Sequence, residues 1–153
     1  MRDITPLFES ELYSFEDRPG EPIPDIASGL YSIWRGKHFL YVGIAGRDLN
    51  KPSTRKVRGL KDRLRAHWKG GLGGDQFAVY VFERLLAPEI KREQLDAMGR
   101  GELTLNELNR SFIRDNLSYR FLVTDTYSEA MDIESQLKSG SLENYPKPYL
   151  NPT

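Results

Sequence analysis

The stretch GLYSIWRGKHFLYVG, residues 29–43, consists of two short runs of apolar and aromatic residues on either side of Gly36. Such runs, separated by a short loop that contains glycine, predict a β-hairpin. The first strand begins with Gly29-Leu30-Tyr31, and the second ends with Tyr41-Val42-Gly43. Each strand therefore carries a glycine and a tyrosine toward the open end of the hairpin, and the pairing of the strands decides whether those tyrosines can act together.

The length of the loop determines on which face of the sheet each tyrosine lies. A three-residue loop over residues 35–37 gives the register pairs Trp34 with His38, Tyr31 with Tyr41, and Gly29 with Gly43. The tyrosines then share one face, because side chains alternate along a strand, and the glycines leave an open floor beside them. A two-residue loop would place the tyrosines on opposite faces. Gly36 suits several loops, so both registers stay open, and tyrosines in strands are also common in plain core packing.

A basic helix is predicted after the hairpin, over LKDRLRAHWKG, with the Gly70-Gly71 pair at its end. With a period of about 3.6 residues, its apolar stripe is formed by Leu60, Leu64 and Trp68. Arg63 and His67, one turn apart, lie at one edge of this stripe, where the helix meets the sheet; an arginine and a histidine at such a rim are also common without function. The other charged residues are predicted to face solvent: Lys61, Asp62, Arg65 and Lys69.

A misplaced acid marks the last predicted helix, TYSEAMDIESQLKSG, which ends at Gly140. Its apolar stripe is formed by Tyr127, Ala130, Met131 and Leu137, and Glu134 falls in the middle of that stripe. A carboxylate that faces a core costs free energy unless it is paired, hydrogen-bonded or bound to a metal ion. A structural pairing, for example with Arg63, and a functional role are both open at this point.

Composition excludes several classes of protein. The chain has 153 residues, which suggests one domain, and a formal net charge of zero. It contains no cysteine and only two histidines, which excludes a disulfide framework and makes a structural zinc site improbable. No apolar run approaches the roughly 20 residues of a membrane span, and the N-terminus has no apolar signal region. We therefore expect a cytoplasmic protein with no membrane partner.

The neutral average conceals a basic segment over residues 47–69, which contains nine basic and two acidic residues and so carries a net charge of +7. Such a cluster is typical of phosphate recognition, although a solvated loop and helix face gives the same pattern. The candidate nucleic-acid contacts in this segment are Arg55, Lys56, Arg58, Lys61 and Arg65.

Two other regions complete the organisation of the chain. Residues 1–28, with a proline-rich approach to the hairpin, are predicted to be a peripheral N-terminal extension. The run DQFAVYVFERLLAP is apolar nearly all round, which predicts a buried strand or a buried helix without deciding between them. The runs ELTLNELNRSFIRDNL and SYRFLVTD predict a further helix and strand.

The candidate residues suit phosphodiester hydrolysis. A carboxylate such as Glu134 is the ligand that Mg²⁺ requires, with waters and phosphate completing the shell. An arginine neutralises charge on the scissile phosphate, and a tyrosine or histidine can take a proton from the attacking water. Because free tyrosine titrates near pH 10, a tyrosine acting as base needs a pKa lowered by nearby cations such as Arg63 or a metal ion.

This combination resembles the GIY-YIG nuclease family. Gly29-Leu30-Tyr31 and Tyr41-Val42-Gly43 resemble its two tripeptides, and GLKDRLRAHW resembles its first helix, with Arg63 at the arginine and His67 at the histidine. DIESQLK resembles the helix that bears the metal-binding glutamate, here Glu134, and Asn151 in PYLNP fits the closing segment. The order and spacing of these motifs across the chain make the resemblance specific.

The resemblance implies an α+β fold, a small α/β sandwich in which a three-stranded, mostly antiparallel sheet is flanked by helices. Residues 29–153 would form this nuclease-like domain, with an insertion near 75–101. It implies cleavage of DNA, with RNA not excluded, and one divalent ion, Mg²⁺ or Mn²⁺, bound by Glu134. Tyr31 or Tyr41 would assist the nucleophile, Arg63 would hold the phosphate, and His67 would position water or the leaving group. Gly29, Gly43 and Asn151 would support the site.

Two alternatives to a nuclease remain open from the sequence. One is a nucleic-acid-binding module of the same fold with a silent site, and the other is a protein-interaction domain that keeps the fold for packing alone. Target selection by a homodimer or by a partner subunit is equally open, as is the biological role in restriction, repair, recombination or homing.

Overall fold

The hairpin lies within an antiparallel sheet. The computed structural model describes residues 2–47, 49 and 59–152. Across these ranges the strands are β1 (Tyr13–Ser14), β2 (Ser28–Arg35), β3 (His38–Ala45) and β4 (Ser118–Thr124), in the spatial order β1-β4-β2-β3. The predicted mixed α and β architecture with an antiparallel sheet is confirmed, but the predicted count of three strands is wrong. The fourth strand is β1, a two-residue pairing with β4 from the N-terminal segment.

Helices cover both faces of the sheet. The α-helices are α1 (Pro6–Glu9), α2 (Leu60–Lys69), α3 (Gln76–Val81), α4 (Arg92–Gly99), α5 (Leu105–Asn116) and α6 (Tyr127–Ser139), and a π-helical segment (Phe82–Leu86) and a 3₁₀ turn (Ala87–Glu89) follow α3. The predicted helix ends are confirmed at Gly70 and Gly140, whose φ angles of 67° and 76° are in the left-handed region that glycine adopts without strain. None of the helices within the described ranges is long and apolar enough to cross a membrane.

The hairpin register differs from the three-residue loop. Arg35 pairs with His38 across a two-residue turn, and Ile33 pairs with Tyr41, with an irregularity between Ile33 and Trp34. Because Trp34 pairs with Phe39, Leu40 is the additional residue of a β-bulge in β3. Tyr31 consequently lies opposite Gly43, and Gly29 lies opposite Ala45. The pairs that a three-residue loop would give are therefore wrong.

The predicted shared face of the tyrosines nevertheless holds. A two-residue turn alone would have put them on opposite faces, but the bulge adds one residue to β3 and restores the parity. Tyr31, Ile33 and Tyr41 now point the same way, and the rings of Tyr31 and Tyr41 have centroids 6.3 Å apart. A sequence argument based on the turn alone could not include this bulge.

The two glycines of the motif make room for side chains of other residues. A Cβ placed on Gly43 would overlap the Cζ and Oη atoms of Tyr31, whose ring crosses directly over the partner strand. A Cβ placed on Gly29 would overlap the backbone oxygen of Leu122 and lie 2.9 Å from a methyl carbon of Leu60. Gly43 therefore admits the tyrosine, and Gly29 admits close packing of α2 on the sheet.

Two apolar layers enclose the sheet. On the face of Tyr31, the core contains Leu60 and Leu64 of α2 and Phe77 of α3. On the face of Leu30, Trp34 and Val42, the core contains Ala130, Ile133 and Leu137 of α6 together with Ile4 and Leu7. Helices α2 and α6 therefore pack on opposite faces of the same sheet.

The N-terminal segment belongs to the core, so the prediction that residues 1–28 are peripheral is wrong. Leu7 and Phe15 are completely buried, on opposite faces of the sheet, and Ile23 is 3% exposed. Sequence periodicity in such a short, proline-rich segment does not reveal this burial, because only the tertiary neighbours create it. The region near 75–101 is helical, with Phe77 and Val81 fully buried. The run DQFAVYVFERLLAP, for which the sequence allows either a strand or a helix, therefore forms helix.

The C-terminal segment closes the outer edge of β3. Backbone N–H groups of Tyr149 and Leu150 donate to the carbonyls of Phe39 and Leu40. The amide side chain of Asn151 accepts from the N–H of Val42 and donates to its carbonyl, both at 2.9 Å. Asn151 thus replaces a missing strand neighbour beside Val42.

Candidate active site

Three buried polar side chains form a chain of hydrogen bonds beneath α2. The hydroxyl of Tyr31 lies 2.6 Å from Nε2 of His67, and Nδ1 of His67 lies 2.8 Å from Oδ2 of Asp75. Tyr31 is 1% exposed, His67 is fully buried and Asp75 is 8% exposed. Polar groups with so little exposure to solvent must find hydrogen-bond partners within the protein.

Local structure explains how each member of this chain is held. Tyr31 crosses Gly43, as described above, and His67 lies in the last turn of α2, one turn from Arg63. Asp75 is the N-cap of α3, and its Oδ1 accepts from the backbone N–H of Phe77 at 3.1 Å. The Phe77 ring packs on the imidazole with centroids 4.5 Å apart. The imidazole is thus held between a residue of β2 and residues at the start of α3.

Burial and neighbouring charges set the protonation of these groups. Burial lowers the pKa of His67 below its usual 6.5, although Asp75 opposes the shift. Burial alone would raise the pKa of Asp75, but the hydrogen bond from His67 and the charge of Arg63 outweigh it and lower that pKa. At neutral pH we therefore assign an ionised Asp75 and a neutral His67.

The two tyrosines keep their protons in the free protein. Burial raises the pKa of Tyr31 well above its usual value, with Tyr41 adding to the effect and Arg63 opposing it. Burial likewise raises the pKa of Tyr41 to about 12, against the charge of Arg63. Arg63 does act to lower both pKa values, but in the folded protein alone desolvation exceeds the contribution of one guanidinium.

Arg63 faces the two tyrosines. Its charge acts on Tyr31, Tyr41 and Asp75, and these neighbours keep the pKa of Arg63 raised although burial works against them. Arg63 is half-buried, so it borders both this polar cluster and solvent. It is thus placed as predicted, at the junction of α2 and the sheet.

Glu134 approaches the same cluster from the opposite layer. Its charge contributes to the raised pKa of Tyr41, so the carboxylate lies within electrostatic range of that phenol. The Glu134 side chain is 20% exposed, and Oε1 is 3.7 Å from Nζ of Lys138, one turn along α6. Burial raises the pKa of Glu134, with Lys138 opposing. Glu134 lies at the margin of the α6 core, which is formed by Ala130, Ile133 and Leu137, and the placement of Met131 in that core is wrong because Met131 is 47% exposed.

The predicted nucleic-acid contacts divide into two groups. Arg55, Lys56 and Arg58 lie outside the described residues. The prediction that Lys61 faces solvent is wrong, because it is buried and its Nζ lies 2.5 Å from Oδ1 of Asp25. Arg65 is half-buried rather than free in solvent, and its Nε donates to the carbonyl of Pro19 at 2.6 Å. The N-terminal segment engages both side chains.

Asp75 is the site residue that sequence reasoning missed. A signal was present, because an aspartate after the glycine-rich run GGLGG and before an apolar run is typical of a helix N-cap. That signal identifies a cap but does not reveal the histidine that its second oxygen reaches. The contact joins residues eight positions apart across a loop, and only the tertiary structure brings them together.

The chain matches no protein-family model, and comparisons with curated proteins and with solved structures gave no match. The chemistry of the site is therefore judged from its own residues and their geometry.

Proposed function

We propose that this protein is a divalent-metal-dependent endonuclease that hydrolyses phosphodiester bonds in DNA, on a fold of the GIY-YIG type. The observation that carries the proposal is the convergence of Tyr31, Tyr41, Arg63 and His67 on one face of the hairpin, with the charge of Glu134 acting on Tyr41 from the other layer. Four of the five residues selected from sequence for one reaction thus come together from the hairpin and α2, and the fifth, on α6, is electrostatically coupled to them.

The donor set supports a single hard cation. Within the described residues, no three His, Asp or Glu side chains converge as a metal cluster. Glu134 would be the protein ligand that the resemblance implies, and its carboxylate has only a loose contact with Lys138 there. Mg²⁺ is commonly held by one or two carboxylates, with waters and substrate phosphate in the other positions, so the residues fit Mg²⁺ or Mn²⁺. When bound, such an ion supplies Lewis-acid stabilisation of negative charge on phosphate oxygens.

The other residues supply the remaining chemistry. Arg63 binds the scissile phosphate and offsets its charge. Because Arg63 is half-buried, its pairing with phosphate oxygens is stronger than it would be in bulk water. A phenol, either Tyr31 or Tyr41, contacts the attacking water, and His67 is the neutral acceptor available for a proton from the tyrosine side. The half-buried positions of Arg63 and Tyr41 leave them in reach of a backbone phosphate.

The test is cleavage of supercoiled plasmid with Mg²⁺, with chelator, and with the variants Glu134→Ala and Asp132→Ala. We expect metal-dependent nicking that Glu134→Ala lowers by about 10³-fold, because several kcal/mol of charge stabilisation depend on the ion. Asp132 is exposed on the same helix two residues away, so its variant is a matched control with unchanged nicking.

Nicking that persists in chelator or in Glu134→Ala would contradict the proposal. Salt-sensitive DNA binding without cleavage by the wild type would instead favour the silent binding module. A panel of duplex, flap, branched and mismatched substrates in the same assay would identify the preferred DNA structure.

A further inference from the structure

The innermost part of the site consists of three polar side chains that are joined by hydrogen bonds and lie among apolar and aromatic residues. Tyr31, His67 and Asp75 contact one another at 2.6 Å and 2.8 Å, and Phe77 packs against the imidazole. The titratable and charged groups that face His67 are Tyr31, Tyr41, Asp75 and Arg63. Of these, only Asp75 lies outside the motifs that suggested a nuclease.

The carboxylate of Asp75 determines which nitrogen of His67 carries the proton. An ionised carboxylate only accepts hydrogen bonds, so Nδ1 of His67 must be protonated and must donate to Oδ2. A neutral imidazole with its proton on Nδ1 has a lone pair on Nε2. The only hydrogen that the Tyr31–His67 contact can then use is the phenolic one, so Tyr31 donates to Nε2. The direction of the whole chain follows from Asp75.

Tyr41 lacks this arrangement. Its ring meets the edge of His67 with centroids 6.2 Å apart, but Nε2 is already engaged by Tyr31. No described residue forms a hydrogen bond with the Tyr41 hydroxyl, whereas Tyr31 has a preformed acceptor. The two tyrosines of the motif are therefore chemically different, although the sequence presents them almost symmetrically.

We propose that Asp75 is a positioning residue that holds His67 in the tautomer able to accept the proton of Tyr31 when that tyrosine acts as the base of the proposed reaction. This rests on the proposed nuclease function. In the step, a water gives a proton to the Tyr31 oxygen as the Tyr31 hydroxyl proton moves to Nε2. The water oxygen forms a bond to phosphorus, the bond from phosphorus to the leaving oxygen breaks, and that oxygen takes a proton from solvent. His67 becomes imidazolium beside Asp75, which stabilises the charge.

The raised pKa of Tyr31 is compatible with this relay. A tyrosinate does not have to exist before the reaction, because the proton leaves for His67 as a new one arrives from water. A neutral His67 is required at the start, and its burial maintains that state at neutral pH.

The first experiment identifies the tautomer of His67 by the ¹⁵N chemical shifts of its ring. His38→Gln removes the other histidine of the chain and leaves one imidazole to observe. We expect Nδ1–H in this background and a change to Nε2–H when Asp75→Asn is added. In that variant the amide oxygen keeps capping Phe77, so the NH₂ faces Nδ1. An Nε2–H tautomer in the His38→Gln protein, or no change with Asp75→Asn, would overturn the proposal.

The second experiment measures cleavage with Asp75→Asn and Asp75→Ser. Both residues are good N-caps, so α3 keeps its cap, and thermal unfolding and DNA affinity report whether the fold survives. We expect nicking to fall by about 10²-fold or more in each, the range for loss of acid–base assistance, with DNA affinity retained. A folded Asp75→Asn protein with inverted tautomer and wild-type nicking would overturn the role of Asp75.

The two proposals fail in different ways. A wild-type protein that has the Nδ1–H tautomer but cuts no substrate would overturn the nuclease function and the assignment of Tyr31 as base, while supporting Asp75 as the residue that orients His67. A wild-type protein that cuts DNA but has His67 in the Nε2–H form would support the nuclease function and overturn this inference.

Discussion

The two layers that cover opposite faces of the sheet present their polar residues in contrasting states. On the α2 side, Tyr31, His67 and Asp75 are buried and joined by hydrogen bonds of 2.6 Å and 2.8 Å. On the α6 side, Glu134 is partly open, and its nearest described cation is 3.7 Å away. The polar groups on the α2 side hydrogen-bond to one another without any ligand. On the α6 side, the weak pair with Lys138 offsets little of the cost of desolvating the Glu134 carboxylate.

The contrast teaches which part of the site is preorganised. Groups that must pass a proton need fixed, short contacts before substrate arrives, and the α2 side supplies them. A carboxylate that receives a cation needs unoccupied lone pairs, and a strong internal partner would compete with the ion. The weak Glu134–Lys138 pair suits that second task, because partly exposed ion pairs contribute little to stability.

The largest expected effect separates the two tyrosines. Tyr31→Phe removes the proton donor to His67 and should lower the nicking rate by about 10²- to 10⁴-fold. Tyr41→Phe removes a hydroxyl with no described hydrogen bond and should cost about tenfold or less, the kinetic equivalent of one ordinary hydrogen bond. Single-turnover cleavage of a labelled duplex measures both rates.

Thermal unfolding of both variants is the control, because Tyr31→Phe leaves Nε2 of buried His67 without a donor. The expected loss is about 1–3 kcal/mol, the usual cost of a buried unsatisfied group. Equal rate losses in the two variants, or a larger loss for Tyr41→Phe, would remove the distinction between the preorganised side and the open side.

A smaller effect concerns the floor of the hairpin. Gly43→Ala places a methyl group into the Tyr31 ring, so the free energy of unfolding should fall by about 2–3 kcal/mol through overpacking. Gly73→Ala is the matched control, since no atom lies within 4 Å of a Cβ built there. Denaturant titration compares the two. A Gly43→Ala protein as stable as Gly73→Ala would mean that Tyr31 does not cross the strand as described.

The smallest expected effect is on the pH dependence of the free energy of unfolding, to which Glu134 on the α6 side and His67 on the α2 side contribute with opposite signs. The pKa of Glu134 is raised above its usual 4.5, so the folded protein binds that proton more tightly than the unfolded chain does. Its stabilising contribution is present at low pH and is lost as pH rises through the folded pKa. The pKa of His67 is lowered from 6.5, so its effect runs the other way, with stability lost as pH falls below 6.5.

Glu134→Gln isolates the first contribution. The free energy of unfolding of the wild type minus that of Glu134→Gln should decrease as pH rises above 4.5. Denaturant titration at a series of pH values measures the difference. A difference that increases with pH would show that the folded protein stabilises the ionised carboxylate, which would make the α6 side as well compensated as the α2 side.

Much of the local structure was predictable from sequence. Helix α2 ends at Gly70 as expected, because glycine accepts the left-handed conformation there without strain. The hairpin, the helical position of Arg63 beside His67, and the polar break at Glu134 all follow from period and residue type. The strand partner contributed by Tyr13 and the burial of Leu7 did not, because two paired residues and one helical turn carry almost no periodic signal.

By itself, the sequence determined the elements and the inventory of reactive side chains, because helix ends, strand propensity and turn residues depend on local backbone physics. The tertiary structure alone decided three things. The bulge at Leu40 set the tyrosines on one face, packing of α3 brought Asp75 to His67, and packing of α6 on the sheet brought the charge of Glu134 within electrostatic range of Tyr41. Each depends on contacts between segments that are distant in the chain or separated by a loop. Local propensity depends only on near neighbours in sequence, so it cannot predict such contacts.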